Sequence, residues 1–177
     1  LYKEQELIFA LNTVNAKGLI HADEIGGLKA DELIEIIKPE ITSLKNIHSF
    51  DTGLKKLISS GKESLANLPS VNSKDIFMIQ YTSGTTGTPK AAQMTHEALI
   101  TSSQNSHIRW KVENNQKVCH GFPLFHIGGS ACMTLGAASM GAVSLPLYIF
   151  KPSVTLDIIE NEGCSMFIGA PVHLTAM

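Results

Sequence analysis

The sequence predicts an α/β fold, with helices and strands alternating over a largely parallel sheet. Three observations carry this. Helical and strand-like apolar patterns take turns along the chain, as βα units require. The run Ile76-Phe77-Met78-Ile79-Gln80-Tyr81 is continuous and rich in β-formers, as a strand buried on both faces should be. And 177 residues at 44% hydrophobic content suffice for one packed domain.

The elements follow in order. Residues 1–12 read as a helix with Leu7, Ile8 and Leu11 on one stripe. Gly18-Leu19-Ile20 makes a short strand. Leu33, Ile36 and Ile37 repeat the helical spacing until Pro39 closes it. Ile47 to Phe50 is a further strand, and Gly53 to Ser73 mixes Ser, Gly, Lys and Pro as a connector does. The chain thus divides into an α/β segment at 1–52, a connector at 53–74 and a second region at 75–177. In that region a return strand is expected at Lys90 to Thr95, a helix at His96 to Trp110 and a strand at Val118 to Gly121. A small-residue helix then spans Ile127 to Met140. Ala142 to Leu147 is strand-like, Val154 to Asn161 helical and Ser165 to Ile168 strand-like, before Ala170-Pro171 opens a last helix.

Composition narrows the partners. Fourteen Lys and Arg against sixteen Asp and Glu leave a formal charge of −2, without the basic excess that nucleic acid or an anionic membrane surface would require. No apolar run is long enough to span a bilayer, and no leader pattern is present. Cys119, Cys132 and Cys164 form no CxxC unit, which argues against a zinc site or a disulfide framework and for a reducing, intracellular setting, cytoplasm or organelle matrix. His120 and His126 lack a third ligand in register, so no metal site is expected from them. The chain starts at Leu1 and ends inside a helical pattern at Met177, which reads as a piece of a longer protein.

The segment after the apolar strand carries the chemistry: Tyr81-Thr82-Ser83-Gly84-Thr85-Thr86-Gly87-Thr88-Pro89-Lys90. Gly84 and Gly87 permit close backbone approach, so main-chain N–H groups can converge on an anion. Hydroxyls of Thr82, Ser83, Thr85 and Thr86 add donors, and Lys90 places a positive charge at the far end. A plain Ser/Thr/Gly surface turn is the alternative, and the apolar strand running directly into the loop argues against it. The nucleotide-hydrolase P-loop fails on spacing, because position 89 is Pro rather than Gly and Lys90 is followed by Ala91.

Residues 79–90 resemble the phosphate-loop signature of the adenylate-forming superfamily, which includes acyl-CoA synthetases, luciferases and the adenylation domains of peptide synthetases. Ala91 departs from it, since the family usually has Gly there. The patch Gly121-Phe122-Pro123-Leu124-Phe125-His126-Ile127-Gly128-Gly129 resembles the family's second core segment, and residues 163–171 resemble the strand leading to its next pocket helix. The resemblance implies part of the large N-terminal domain of an adenylate-forming enzyme. It further implies that residues 82–90, Thr82 to Lys90 with Thr88 and Pro89 included, hold the β- and γ-phosphates of ATP. Phe125, His126 and Gly128 would line the acid pocket, with Phe122, Leu124, Ile127 and Met133 as apolar lining. For His126 a helix-capping or a buried, hydrogen-bonded role is the competing reading.

The implied reaction is that of an acid–CoA ligase: ATP, brought with Mg²⁺, and a carboxylic acid give acyl-adenylate and pyrophosphate, and CoA then takes the acyl group. A fatty or other apolar acid is expected, because no acidic residue between Val118 and Thr155 is available to hold a substrate amine. The family's adenine and ribose segments, and the C-terminal domain with its catalytic lysine, are not found in the 177 residues, so no catalytic residue is assigned here. A truncated, non-catalytic relative that binds polyphosphate or an acyl group, or docks on another protein, is the second reading.

Overall fold

The computed structural model describes residues 3–25, 28–61, 68–82 and 89–177. They fall into two compact units, Leu1–Ser70 with Tyr81–Ala91, and Val71–Gln80 with Ala92–Met177.

The first unit opens with helix α1, Glu4–Thr13, whose N-terminus is closed by the Glu6 carboxylate accepting from the Lys3 backbone N–H at 2.7 Å. Strand β1, Gly18–His21, is followed by the short antiparallel pair β2, Glu24–Ile25, and β3, Leu28–Lys29. Helix α2, Ala30–Ile37, runs into a 3₁₀ turn at Lys38–Glu40 that holds Pro39, as a residue lacking an N–H permits. Strand β4, Asn46–Ser49, pairs in parallel with β1, Gly18 opposite Asn46. The core is Ile37, Ile41 and Leu44, with Leu7, Ile8, Leu11, Leu19, Leu33 and Ile47 packed against it. Complete burial of Ile37 and Ile41 contributes about 1.5–3 kcal/mol each. Ile36, grouped with the apolar stripe on spacing, faces solvent, and Ile34 takes the inward position.

The stretch 53–74 is not all connector. Helix α3, Gly53–Ser60, opens it, seated by the Gly53 N–H donating to Ser49 Oγ at 3.0 Å. Gly53 lies against the His48 backbone, where an added Cβ would meet the His48 Cα at 3.1 Å.

Strand β5, Ile76–Thr82, pairs with β6, Lys90–Thr95. The expected burial of β5 on both faces is not met, since Ile76, Phe77 and Ile79 are all exposed. Among the described residues β5 has one strand neighbour, β6, so its continuous apolar run is only part covered.

The second unit is built on a three-stranded parallel sheet, with β7, Lys117–His120, between β8, Val143–Pro146, and β9, Met166–Ile168. Helix α4, His96–Arg109, starts at an N-cap Thr95 whose Oγ1 accepts from the Ala98 N–H at 3.2 Å. The small-residue helix expected at 127–140 is two pieces, a π-helix over Gly128–Leu135 and helix α5, Gly136–Ser139. Both pack on α4, where His107 is wholly buried beside Gly136. Helix α6, Pro152–Glu162, begins with Pro at its first position and ends at Gly163 in the left-handed conformation, φ 63°. Helix α7, Pro171–Ala176, follows β9. Among the described residues, no helix is long and apolar enough to cross a membrane.

Candidate functional site

The segment singled out for phosphate joins β5 to β6 along the chain. Tyr81 anchors the strand before it: its Oη donates to the Ala10 carbonyl at 2.6 Å, and its ring lies 6.4 Å from that of Phe9 on α1. Thr82 ends β5 and is exposed. Pro89 precedes β6, and Lys90 opens it as an exposed residue. Ser83, Gly84, Thr85, Thr86, Gly87 and Thr88 lie outside the described residues. What is visible is therefore the pair of stems, a tied strand end entering and a cationic residue leaving.

In the second unit, the segment after β7 holds the residues expected to line the acid pocket. It folds as a tight turn, with the His126 N–H donating to the Pro123 carbonyl at 3.1 Å. The His126 carbonyl then accepts from the N–H groups of Gly129 and Ser130 and from Ser130 Oγ, at 3.0–3.1 Å. The Gln80 side chain of β5 donates to the Phe125 carbonyl at 3.0 Å and tethers the turn from outside. Phe125 is 84% exposed, and His126 is exposed beside it.

His126 Nδ1 accepts the Gly128 N–H at 3.0 Å, which is the helix-capping geometry. That bond places the proton of the neutral ring on Nε2. The side chain thus satisfies the first N–H of the π-helix and still presents an Nε2–H donor. Gly128 sits with this ring near the place of its missing Cβ, at 3.1 Å. The tighter position is Gly129, which sequence reading did not single out: a Cβ there would lie 2.3 Å from the Pro123 carbonyl oxygen and 2.7 Å from that of Phe122. The adjacent Gly-Gly pair was the available signal, since close backbone approach is a common reason for glycine inside an element.

Met133, expected among the apolar lining, is 2% exposed and belongs to the core. The π-helix presents that face inward, where it packs against α4. Behind the turn, His120 at the end of β7 is wholly buried with Nε2 3.2 Å from Ser144 Oγ on β8. Burial pushes its pKa below the usual imidazole range, and the Phe122 backbone opposes this. Cys119, next to it, is pushed up to about 11 by burial, with the neighbouring Cys164 adding to the shift. Among the described residues, no group of three or more His, Cys, Asp or Glu side chains can hold a metal ion.

The family model described as AMP-binding enzyme matches residues 1–177. The chain is 27% identical over 198 residues to the acyl-CoA ligase sidI of Aspergillus fumigatus, covering 99% of this chain and 33% of that protein. It is 32% identical over 130 residues to a long-chain-fatty-acid–CoA ligase of Bacillus subtilis, covering 71% of this chain and 22% of that protein. The fold is that of ATP-bound MatB from Rhodopseudomonas palustris, with a TM-score of 0.81 at 21% identity over 98% of this chain and 33% of that one. The chain spans about a third of the length of the curated relatives it matches over its full extent. With a parallel α/β sheet, a phosphate-loop signature between β5 and β6, and a family match from end to end, the chain belongs to the AMP-binding enzyme family.

Proposed function

We propose that the protein to which these residues belong is an ATP-dependent acid–CoA ligase. The observation that carries the reading is the family match across residues 1–177, which includes the loop signature at 82–90. In this reading the acid carboxylate attacks the α-phosphate of ATP, the bond to the β-phosphate breaks, and acyl-adenylate and pyrophosphate result. The CoA thiol then displaces AMP and leaves the acyl thioester.

Thr82, Ser83, Gly84, Thr85, Thr86, Gly87, Thr88, Pro89 and Lys90 are assigned to the β- and γ-phosphates. Backbone and hydroxyl donors with one fixed cation match the charge that builds as pyrophosphate leaves. Phe125, His126 and Gly128 are assigned to the acid. The exposed Leu124 and Phe125 offer an apolar surface, and the Nε2–H of His126 offers a donor for the reacting end of the acid. A fatty or other apolar acid suits that surface. Mg²⁺ is assigned as the ion that accompanies ATP, and no step is routed through it.

Exchange of labelled pyrophosphate into ATP by the full-length protein, with a panel of carboxylic acids, tests the assignment. Acid-dependent exchange is expected, strongest with apolar acids. Exchange that needs no acid, or that responds to amino acids alone, removes it.

A further inference from the structure

Three side chains behind the candidate acid-binding turn form a connected polar chain whose directions can be worked out. Thr134 Oγ1 donates to the Gly129 carbonyl at 2.8 Å, five residues back, the spacing of the π-helix it sits in. A hydroxyl has one hydrogen to give, so in its 3.4 Å contact with Ser144 Oγ, Thr134 accepts and Ser144 donates. In the arrangement that makes all three contacts hydrogen bonds, Ser144 accepts at its own oxygen and the His120 Nε2, 3.2 Å away, carries the proton. The order is His120 Nε2–H to Ser144, Ser144 to Thr134, Thr134 to Gly129.

In that arrangement His120 Nδ1 is unprotonated and buried; the Phe122 backbone lies near the ring, but no group among the described residues has the geometry to hydrogen-bond Nδ1. A wholly buried imidazole with one unpaired nitrogen is unfavourable relative to an apolar side chain of similar size. Its geometry supplies a compensating role. His120 is the residue just before the turn and Gly129 the residue just after it, and the two ends are joined through Ser144 and Thr134. The Gly129 backbone is pressed against the Pro123 and Phe122 carbonyls, so fixing Gly129 also fixes the turn.

We propose that His120, with Ser144 and Thr134, is a positioning device that clasps the two ends of the Gly121–Gly128 segment and sets the affinity of the protein for its acid substrate. This rests on the acid–CoA ligase reading for the identity of the substrate, while the proton order of the chain stands apart from it.

Two readouts keep these separate. The first is the ¹⁵N–¹H correlation pattern of the His120 ring in the full-length wild-type protein, which must show the Nε2–H tautomer; an Nδ1–H tautomer overturns the chain whatever the enzyme does. The second is kinetic, using pyrophosphate exchange with the best acid of the panel. His120→Leu is expected to raise the acid KM about tenfold, with the ATP KM moved by less than about twofold. His120→Gln, whose amide nitrogen can stand where Nε2 stood, should bring the acid KM back to within about threefold of wild type. Ser144→Ala, the milder cut in the same chain, should raise the acid KM about three- to tenfold and serves if His120→Leu does not fold. Acid and ATP KM rising together, no rise in either folded variant, or a Gln variant no better than Leu each overturn the proposal. A wild-type protein that shows no acid-dependent exchange removes the ligase reading and with it the substrate assignment.

Discussion

At the scale of single residues, the chemistry around β7 is set by burial. His120 has a folded-state pKa below its unfolded one, because desolvation disfavours the imidazolium. The unfolded chain therefore binds more protons than the folded one between the folded value and the ordinary value near 6.5. Stability present above that window declines as pH falls through it and levels off below the folded pKa. Urea melts of wild type and His120→Gln between about pH 7.5 and 5 should show wild type losing more stability, and parallel curves would refute a buried neutral His120. The same residues show what sequence reading can and cannot reach. His126 as a cap was visible as an alternative, because a His two residues before a Gly-Gly step is a local arrangement. His120 was not, because its partner Ser144 is 24 residues away on β8, and Ser144 in turn meets Thr134 on the π-helix. No periodicity encodes that meeting.

At the scale of elements, the strands and helices that depend on local pattern lie close to their expected limits. The Ala142 to Leu147 strand is β8 and the Ser165 to Ile168 strand is β9, each within two residues. The differences arise where a neighbour decides. Leu54, Leu57 and Ile58 carry helical spacing within 53–60, but Ser, Gly and Lys around them mask α3 as connector. The π-helix at 128–135 cannot be told from an α-helix by composition, since only its hydrogen bonds differ. Gly163 offers a clean test at this scale. It takes φ 63° at the C-terminus of α6, and an added Cβ there would meet nothing within 4 Å. Gly163→Ala should therefore destabilise by about 1 kcal/mol from backbone conformation alone, read as a lower urea midpoint with an unchanged slope. A neutral result would mean that α6 ends in some other way.

At the scale of the whole molecule, the parallel sheet makes the middle strand the best protected part of the second unit. Val118, Cys119 and His120 are wholly buried, and β7 is paired on both edges. Its thiol reports on that protection. A Cys119 pKa of about 11 leaves about a hundredfold less thiolate at pH 8 than an ordinary cysteine near 8.5–9 would have. Iodoacetamide should therefore label Cys119 only through opening of the sheet, at a rate that climbs with sub-denaturing urea, and mass-mapped labelling as fast as in the unfolded chain would contradict the burial. The raised pKa has the opposite pH sense to His120: its contribution to stability is intact below the unfolded value and is lost as pH rises toward about 11. The parallel architecture was legible from the alternation of elements. The partial exposure of β5 was not, because an apolar strand looks the same in sequence whether both of its faces are covered or only one.

The turn after β7 has a consequence for how this protein can change. Its ends are committed, His120 by the Ser144 hydroxyl it meets and Gly129 by a carbonyl that leaves no space for a methyl group. Its tip is not, since Leu124 and Phe125 stand 52% and 84% exposed. Under the proposed assignment, a change of diet needs only new side chains on that tip, an alteration of wording in the middle of a sentence whose opening and closing are held. A library randomised at 124 and 125 should therefore be mostly foldable and rich in altered acid preference, whereas one randomised at 129 should return glycine.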